Sequence, residues 1–299
     1  MANKQADSRD KSVAIVTGFI DIDRNSWDRY PRSNDVYFDY FTRLAVLENP
    51  FYIFTEERFV ERILEIRGGK ETYIHTIDLR KDFKDMLERI TKIQESSDYK
   101  IRLNDSLKNH PEYVIPEYTL VTNLKWHFVD LFVDKFQIKT DLISWIDFGY
   151  VRDRKTLGSL KRLVLDFDTR KIHYLVLKGI PASTNVEAAI FNNEDFVSGG
   201  AIVASPVMFK KLNNYANSSL SRLLSVNIVD DDQGILLDAY LNNSEDFELH
   251  DTDGKWFQLF KYAEHDQRFK KSALISAVLS IYLRGTNLVK KVKKMRYIS

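Results

Sequence analysis

The segment Ile143-Ser144-Trp145-Ile146-Asp147-Phe148-Gly149-Tyr150 constrains the fold more than any other stretch of this chain. An apolar run ends in one carboxylate, and a glycine follows two residues later. Such a run reads as a strand buried on both faces, as in parallel sheets covered by helices. Ligands of open α/β sheets sit beyond the carboxyl ends of the strands. Asp147 therefore stands where a ligand or metal ion is held, and Gly149 lets a backbone come close. The plainer reading is a strand that runs into a turn, with its acid capping the next element.

The rest of the chain supplies partners for that strand. Val13 to Ile20 is a first buried strand, followed by a polar loop from Asp21 to Asn34. Ser33 or Asn34 caps a helix through Leu47, with Tyr37, Phe41, Leu44 and Ala45 at helical spacing, and Asn49-Pro50 stops it. Phe51 to Phe54 is a second strand, Thr55 caps a helix from Glu56 to Ile66, and Gly68-Gly69 ends it. Thr72 to Ile77 is a third strand. This alternation is that of a nucleotide-binding α/β half. Residues 79–117 are polar, with one helix from Phe83 to Ile93, and read as an insertion over the sheet. Pro116 precedes a helical pattern from Leu120 to Phe136. Beyond Tyr150, Leu163 to Phe167 and Ile172 to Leu177 read as strands joined by Asp168-Thr169-Arg170. Gly199 to Ala204 is a strand opened by a glycine pair, and Ser205-Pro206 starts a helix. Asp230 to Asn242 is a further helix, and Ser272 to Leu283 an apolar one. No internal repeat or linker interrupts the pattern. The expectation is one Rossmann-type α/β domain over residues 12–287, with a central, mostly parallel sheet flanked by helices. A flexible segment 1–11 precedes it and a basic tail 288–299 follows.

Composition narrows the function classes. Lys and Arg number 44 against 43 Asp and Glu, a net charge of +1, so no global excess points to nucleic acid. There are no cysteines, which removes disulfides, thiol nucleophiles and cysteine metal sites. Met1 to Lys11 carries no apolar signal-peptide core, and no stretch approaches the roughly 18 apolar residues of a membrane span. The expected location is cytoplasmic, at most peripheral to a membrane. The tail crowds Lys290, Lys291, Lys293, Lys294 and Arg296 into ten residues, which suits either solvent or anionic lipid headgroups. Walker A, GxGxxG, HExxH and GxSxG patterns are absent, which disfavours P-loop NTPases, dinucleotide enzymes, zincins and α/β-hydrolases.

Four constellations could carry chemistry. Asp21-Ile22-Asp23-Arg24 follows the first strand and resembles the nucleophile motif of haloacid-dehalogenase-like phosphatases. That motif needs a threonine or valine two residues beyond the second aspartate, and here Arg24 and Asn25 follow. Arg24 is alternatively a phosphate donor. Asn123-Leu124-Lys125 lies on the helix before the Trp145 strand, with Asn123 and His127 on one face and Lys125 elsewhere, where a lysine is ordinarily solvated. Asp147 with Gly149 is the third. Asp230-Asp231-Asp232-Gln233 opens a helix, where aspartates cap free N–H groups; the same residues would serve as a catalytic carboxylate beside an amide. His250 and Asp251 fall in a polar loop before Trp256, and a lone histidine is more often structural than a ligand.

Several of these segments, taken in order, resemble the HtrL/YibB-like proteins, a family grouped with the GT-A glycosyltransferases. They are Val16-Thr17-Gly18-Phe19-Ile20-Asp21 with Arg24, Pro50 to Glu56, Asn123-Leu124-Lys125, Trp145 to Gly149, Ser198-Gly199-Gly200 and Asp232-Gln233. The resemblance implies a GT-A-like domain that moves a sugar from a nucleotide-sugar donor, most simply a UDP-sugar, to a glycan or lipid-linked acceptor. Donor-binding residues would be Thr17, Phe19, Asp21, Arg24, Asn123, Lys125, Asp147, Gly149, Gly199 and Gly200, with Asp232 and Gln233 at the reaction centre. A divalent ion, Mn²⁺ or Mg²⁺, would sit on Asp147 with His250 or Asp251 completing its shell. Asp147-Phe148-Gly149 offers one carboxylate where the GT-A DxD motif offers two. Two other functions remain compatible with the residues: a phosphohydrolase using Asp21 and Asp23, and a non-catalytic nucleotide- or sugar-binding protein.

Overall fold

The computed structural model describes residues 11–263, so the N-terminal segment, the helix expected at 272–283 and the basic tail lie outside the described residues. Seven strands form one sheet: β1 (Val13–Phe19), β2 (Phe51–Thr55), β3 (Thr72–Thr76), β4 (Leu142–Ile146), β5 (Ile172–Val176), β6 (Val197–Ala204) and β7 (Phe247–Asp251). Their order is β3-β2-β1-β4-β6-β5-β7. β6 runs antiparallel to both neighbours, and every other pairing is parallel. Among the described residues no helix is long and apolar enough to cross a membrane.

The unbroken apolar runs are explained by burial on both faces. Along β1, Val13 and Ile15 pack with the helices Asn34–Leu44 and Val60–Arg67, while Ala14 and Val16 pack toward the helices Lys125–Phe136 and Pro206–Ser225. Strand parity therefore divides the core into two layers, each closed by helices whose apolar stripe faces the sheet. In the first layer the Phe148 ring lies between Phe19 and Phe41, with centroids 4.8 and 4.1 Å away. Stacked pairs of this kind contribute about 0.5–1.5 kcal/mol each beyond their buried area. Here they also fix the backbone immediately after β4.

Several expected elements differ. Leu163 to Phe167 is not a strand: Asn49 supplies the partners a ladder would give, its Nδ2 donating to Leu163 O (3.0 Å) and its Oδ1 accepting from Leu163 N (2.7 Å). β5 accordingly pairs with β6 and β7 rather than in a hairpin. The pattern read as one helix from Leu120 is two, Pro116–Thr122 and Lys125–Phe136, broken at Asn123 and Leu124. Thr55 is not a cap; it ends β2, and its hydroxyl donates to Phe19 O (2.8 Å). The helix from Asn34 stops at Leu44 rather than Leu47, because the Ala45 and Leu47 carbonyls turn to Arg67. Gly199 and Gly200 lie inside β6 rather than opening it, and His250 and Asp251 belong to β7 rather than a loop.

Candidate active site

A cleft of about 270 Å³ lies over the carboxyl ends of β1 and β4. The Asp147 N–H donates to Gly200 O (2.9 Å) and Tyr150 N donates to Asp147 O (2.9 Å), so the chain turns directly beneath the cleft. The Trp145 indole donates to Asp147 Oδ1 (2.8 Å), which orients that carboxylate. The Tyr37 ring approaches Gly149, 3.1 Å from where a β-carbon would stand.

The helix break explains Lys125. Asn123 Nδ2 donates to Thr119 O (2.9 Å) and to Asp230 O (2.8 Å), which ties the break to the loop before Asp232. Lys125, in the first helical turn after it, is directed into the protein rather than into solvent. Its Nζ donates to Asp232 Oδ2 (2.7 Å) and Gly199 O (2.8 Å) and stands 3.1 Å from Asp147 Oδ1. The ammonium is thus held by two hydrogen bonds and a further ion pair. Burial works against the charge, but the Asp147 and Asp232 carboxylates outweigh it, and the net pKa shift is upward. One lysine and two carboxylates leave the group with a net negative charge.

The three aspartates before the helix Asp232–Asn242 divide their labour. Asp231 Oδ1 accepts from Gln233 N (2.9 Å) and Asp230 Oδ2 from Gly234 N (2.9 Å), so these two do the capping. Both are pushed well above the usual carboxylate range, chiefly by burial. Asp232 is left free to meet Lys125. Burial raises its pKa, and Lys125 works against that shift. A β-carbon on Gly199 would overlap Asp232 Oδ2, so only glycine leaves room for this carboxylate. Gln233 lines the same wall, and its Oε1 has no hydrogen-bond partner among the described residues.

The cleft also carries cations. Arg24, Arg32 and Arg152 all line it. Arg24 donates to Tyr37 OH (2.7 Å) and Tyr30 O (3.2 Å), and Arg32 donates to Tyr37 OH (3.4 Å). Arg152 lies over the Phe257 ring at 4.3 Å. Desolvation of its guanidinium, then repulsion from Arg32 and Arg24, holds its pKa below the usual arginine value, although the residue as a whole stays exposed. No ion pair joins any of the three to a carboxylate among the described residues; their polar partners are a phenol and a carbonyl. Cations gathered without a direct ion pair suit an anionic ligand.

The structure thus gathers Phe19, Asp21, Arg24, Lys125, Asp147, Gly149, Gly199, Gly200, Asp232 and Gln233 around one cleft. Thr17 is a correction: two residues short of the end of β1, it is fully buried in the sheet, away from the cleft lining. Asn123 is buried behind Lys125 and positions it rather than lining the cleft. His250 is the third correction. It lies on β7 with its Nε2 against His173 Nδ1 (2.9 Å), and neither it nor Asp251 lines the cleft. Asp21 accepts from Asp23 N, Asn34 and Arg58, so both its oxygens are occupied. Sequence reasoning gives Arg32 and Arg152 no role and reads Tyr37 only as part of a helix's apolar spacing; for Arg32 the arginine-rich loop with Arg24 and Arg29 is the available signal.

The donor set suits a divalent ion in one way only. Asp147 Oδ1 is taken by Trp145 and Lys125, while no hydrogen bond from the described residues reaches Oδ2. One carboxylate oxygen completed by ligand phosphates and water is how Mg²⁺ is commonly held.

Comparison with known proteins agrees with this geometry in extent. A family model described as bacterial protein of unknown function (HtrL_YibB) matches residues 11–264. Protein HtrL of Escherichia coli (strain K12) is 38% identical over 261 residues, which cover 84% of this chain and 92% of the relative.

Proposed function

The chain belongs to the HtrL_YibB family, and from the charged groups of its cleft we propose that it is a GT-A-type glycosyltransferase using a nucleotide-sugar donor. One observation carries the proposal: three guanidiniums without carboxylate ion pairs line the same cleft, at the carboxyl edge of the sheet, as a pair of carboxylates joined by a buried ammonium. The guanidiniums match a diphosphate, and the carboxylates match the sugar and its acceptor. Charge grows on the diphosphate as the bond to the anomeric carbon breaks, and fixed cations in a partly enclosed site stabilise that change.

In this reading Arg24, Arg32 and Arg152 hold the diphosphate, and the donor sugar lies toward Gly199 and Gly200. A divalent ion entering with the donor would be held by Asp147 Oδ2, and it would supply further neutralisation of the leaving group. In an inverting transfer Asp232 accepts the proton of the acceptor hydroxyl as that oxygen bonds to the anomeric carbon. In a retaining transfer Asp232 and Gln233 steady the cationic sugar. Lys125 keeps both carboxylates in place and moderates their repulsion. The expected acceptor is a glycan or a lipid-linked sugar.

The test begins with thermal shift against UDP, other nucleoside diphosphates and UDP-sugars, each with and without Mn²⁺. A stabilising ligand raises the melting temperature by mass action. The hit is then incubated with glycan acceptors, and release of nucleoside diphosphate is followed. Stabilisation by a nucleotide sugar together with acceptor-dependent release supports the proposal. Stabilisation without turnover makes the chain a binding protein, and phosphate release from aryl phosphates makes it a hydrolase.

A further inference from the structure

A second constellation lies at the far edge of the sheet and has no part in the cleft. β5 and β7 run parallel, with His173 opposite Glu248 and Leu175 opposite His250. Side chains two apart on a strand share a face, so His173, Glu248 and His250 converge. His173 Nδ1 stands 2.9 Å from His250 Nε2 and 3.7 Å from Glu248 Oε2.

The protonation of His173 follows from its other nitrogen. His173 Nε2 lies 2.9 Å from Asp168 O, and a carbonyl only accepts, so Nε2 carries the proton. Nδ1 is therefore a bare lone pair aimed at His250 and Glu248. Metal-bound histidines are characteristically oriented in this way, their second nitrogen donating to a backbone carbonyl. Phe167 stacks against both imidazoles, with centroids 4.4 Å from His173 and 4.3 Å from His250, which limits rotation of either ring. Without an ion, His250 Nε2–H donates to His173 Nδ1 and the pair is satisfied. An opening of a few tenths of an ångström lets the two nitrogens straddle an ion at about 2.0–2.1 Å from each.

We propose that His173, His250 and Glu248 form a binding site for a Zn²⁺-class divalent cation, with two imidazoles, one carboxylate and a fourth position open to water. Two nitrogens and one carboxylate oxygen suit this class better than Mg²⁺ or Ca²⁺, which prefer all-oxygen shells. The site clamps β7, the edge strand, onto β5. It is independent of the glycosyl-transfer reading and of Asp147.

The test uses the full chain stripped with EDTA and titrated with Zn²⁺, and separately with Co²⁺. One equivalent of Zn²⁺ is expected to bind and raise the melting temperature, and Co²⁺ is expected to give the visible absorption of a tetrahedral site. His250→Gln abolishes both responses, Glu248→Gln weakens affinity by about tenfold, and Asp147→Asn leaves both intact. His250 and Glu248 are chosen because neither is fully buried, so their variants fold. No zinc-dependent stabilisation, or a response that survives His250→Gln, overturns the proposal.

Discussion

Two cations are buried at opposite ends of the strands, and their partners differ in kind. Arg67, at the amino ends of β2 and β3, donates to the carbonyls of Ala45, Leu47, Asn49 and Glu71 and to Thr72 Oγ1. It lies 4.0 Å over the Phe51 ring and has no carboxylate partner among the described residues. Two of its acceptors follow the carboxyl end of the helix Asn34–Leu44, where the helix dipole favours a cation. Lys125, at the carboxyl end of β4, is held by two carboxylates and one carbonyl instead. A cation bound by backbone carbonyls fastens loops that have no other use. A cation bound by carboxylates belongs to a charge set that an arriving ligand can redistribute. The kind of partner, more than burial, separates scaffold from site.

Replacing the two cations should show this difference most strongly. Arg67→Met strands several buried carbonyls, each costing about 1–3 kcal/mol but not additively. The expected loss is about 4 kcal/mol, a fall in melting temperature on the order of 10 °C for a domain of this size, with turnover per folded molecule retained. Lys125→Met should lose about 3 kcal/mol at neutral pH, because Asp232 is left buried without its counter-charge. The pH responses of the two variants differ. A carboxyl whose folded pKa is raised binds more protons folded than unfolded, so stability falls as pH rises from the unfolded value near 4 through the folded one. Lys125→Met raises the Asp232 pKa further and should recover stability as pH falls from 7 toward 5, whereas Arg67→Met should not. Thermal melts across that range decide it; equal recovery in both variants would erase the distinction.

Asp232→Asn tests the same comparison through the rate. It keeps the size and removes the base, so transfer should fall by about 10²-fold or more, with the melting temperature unchanged or slightly higher. Because burial raises the Asp232 pKa, the acid limb of the wild-type rate profile should lie above the ordinary carboxylate value near 4. That limb should vanish in the variant's residual activity. A large loss of stability with normal turnover would move Asp232 to the scaffold side. Smaller still, Arg152→Ala should weaken nucleoside diphosphate binding by about tenfold, or about 1.4 kcal/mol, with an effect that shrinks in high salt. Calorimetric titration at two ionic strengths reads it directly.

The sequence made the scaffold more legible than the cleft, for physical reasons. Val13 to Ile20, Phe51 to Phe54 and Ile143 to Ile146 are strands because burial on both faces leaves an unbroken apolar signature. Ser205 capping the helix from Pro206 was readable because its hydroxyl acts locally, accepting from Met208 N. Lys125 was not readable, since its direction depends on a helix break that Asn123 secures through a contact with Asp230. Arg32 and Arg152 sit in irregular segments, where no periodicity assigns a face. Thr17 and Phe19 were both expected in the cleft although they have the same strand parity; only Phe19, at the strand end, reaches it. The pairing of His250 with Asp147 came only from the family resemblance, and chain order does not show that β7 lies three strands from β4.

Tyr37 gives the finest test. Its hydroxyl accepts from Arg24 and Arg32, and its ring covers Gly149, so a neutral oxygen orders two cations that make no ion pair among the described residues. At the amino ends of the strands, by contrast, Asn49 makes comparable hydrogen bonds to Val13 O and Leu163 O to hold loops together. Tyr37→Phe retains the ring and deletes only the acceptor. The guanidiniums keep access to solvent, so the stability change should stay within about 0.5 kcal/mol. Binding should suffer instead, because the arginines must then be ordered by the ligand itself, at about 0.5–1 kcal/mol. The expected result is a two- to fivefold weaker nucleoside diphosphate affinity with an unchanged maximal rate. Asn49→Ala should show the reverse, a fall in melting temperature with unchanged affinity. If Tyr37→Phe destabilises as much as Asn49→Ala and leaves affinity untouched, the phenol is scaffold, and the cations of the cleft are not organised for an anion.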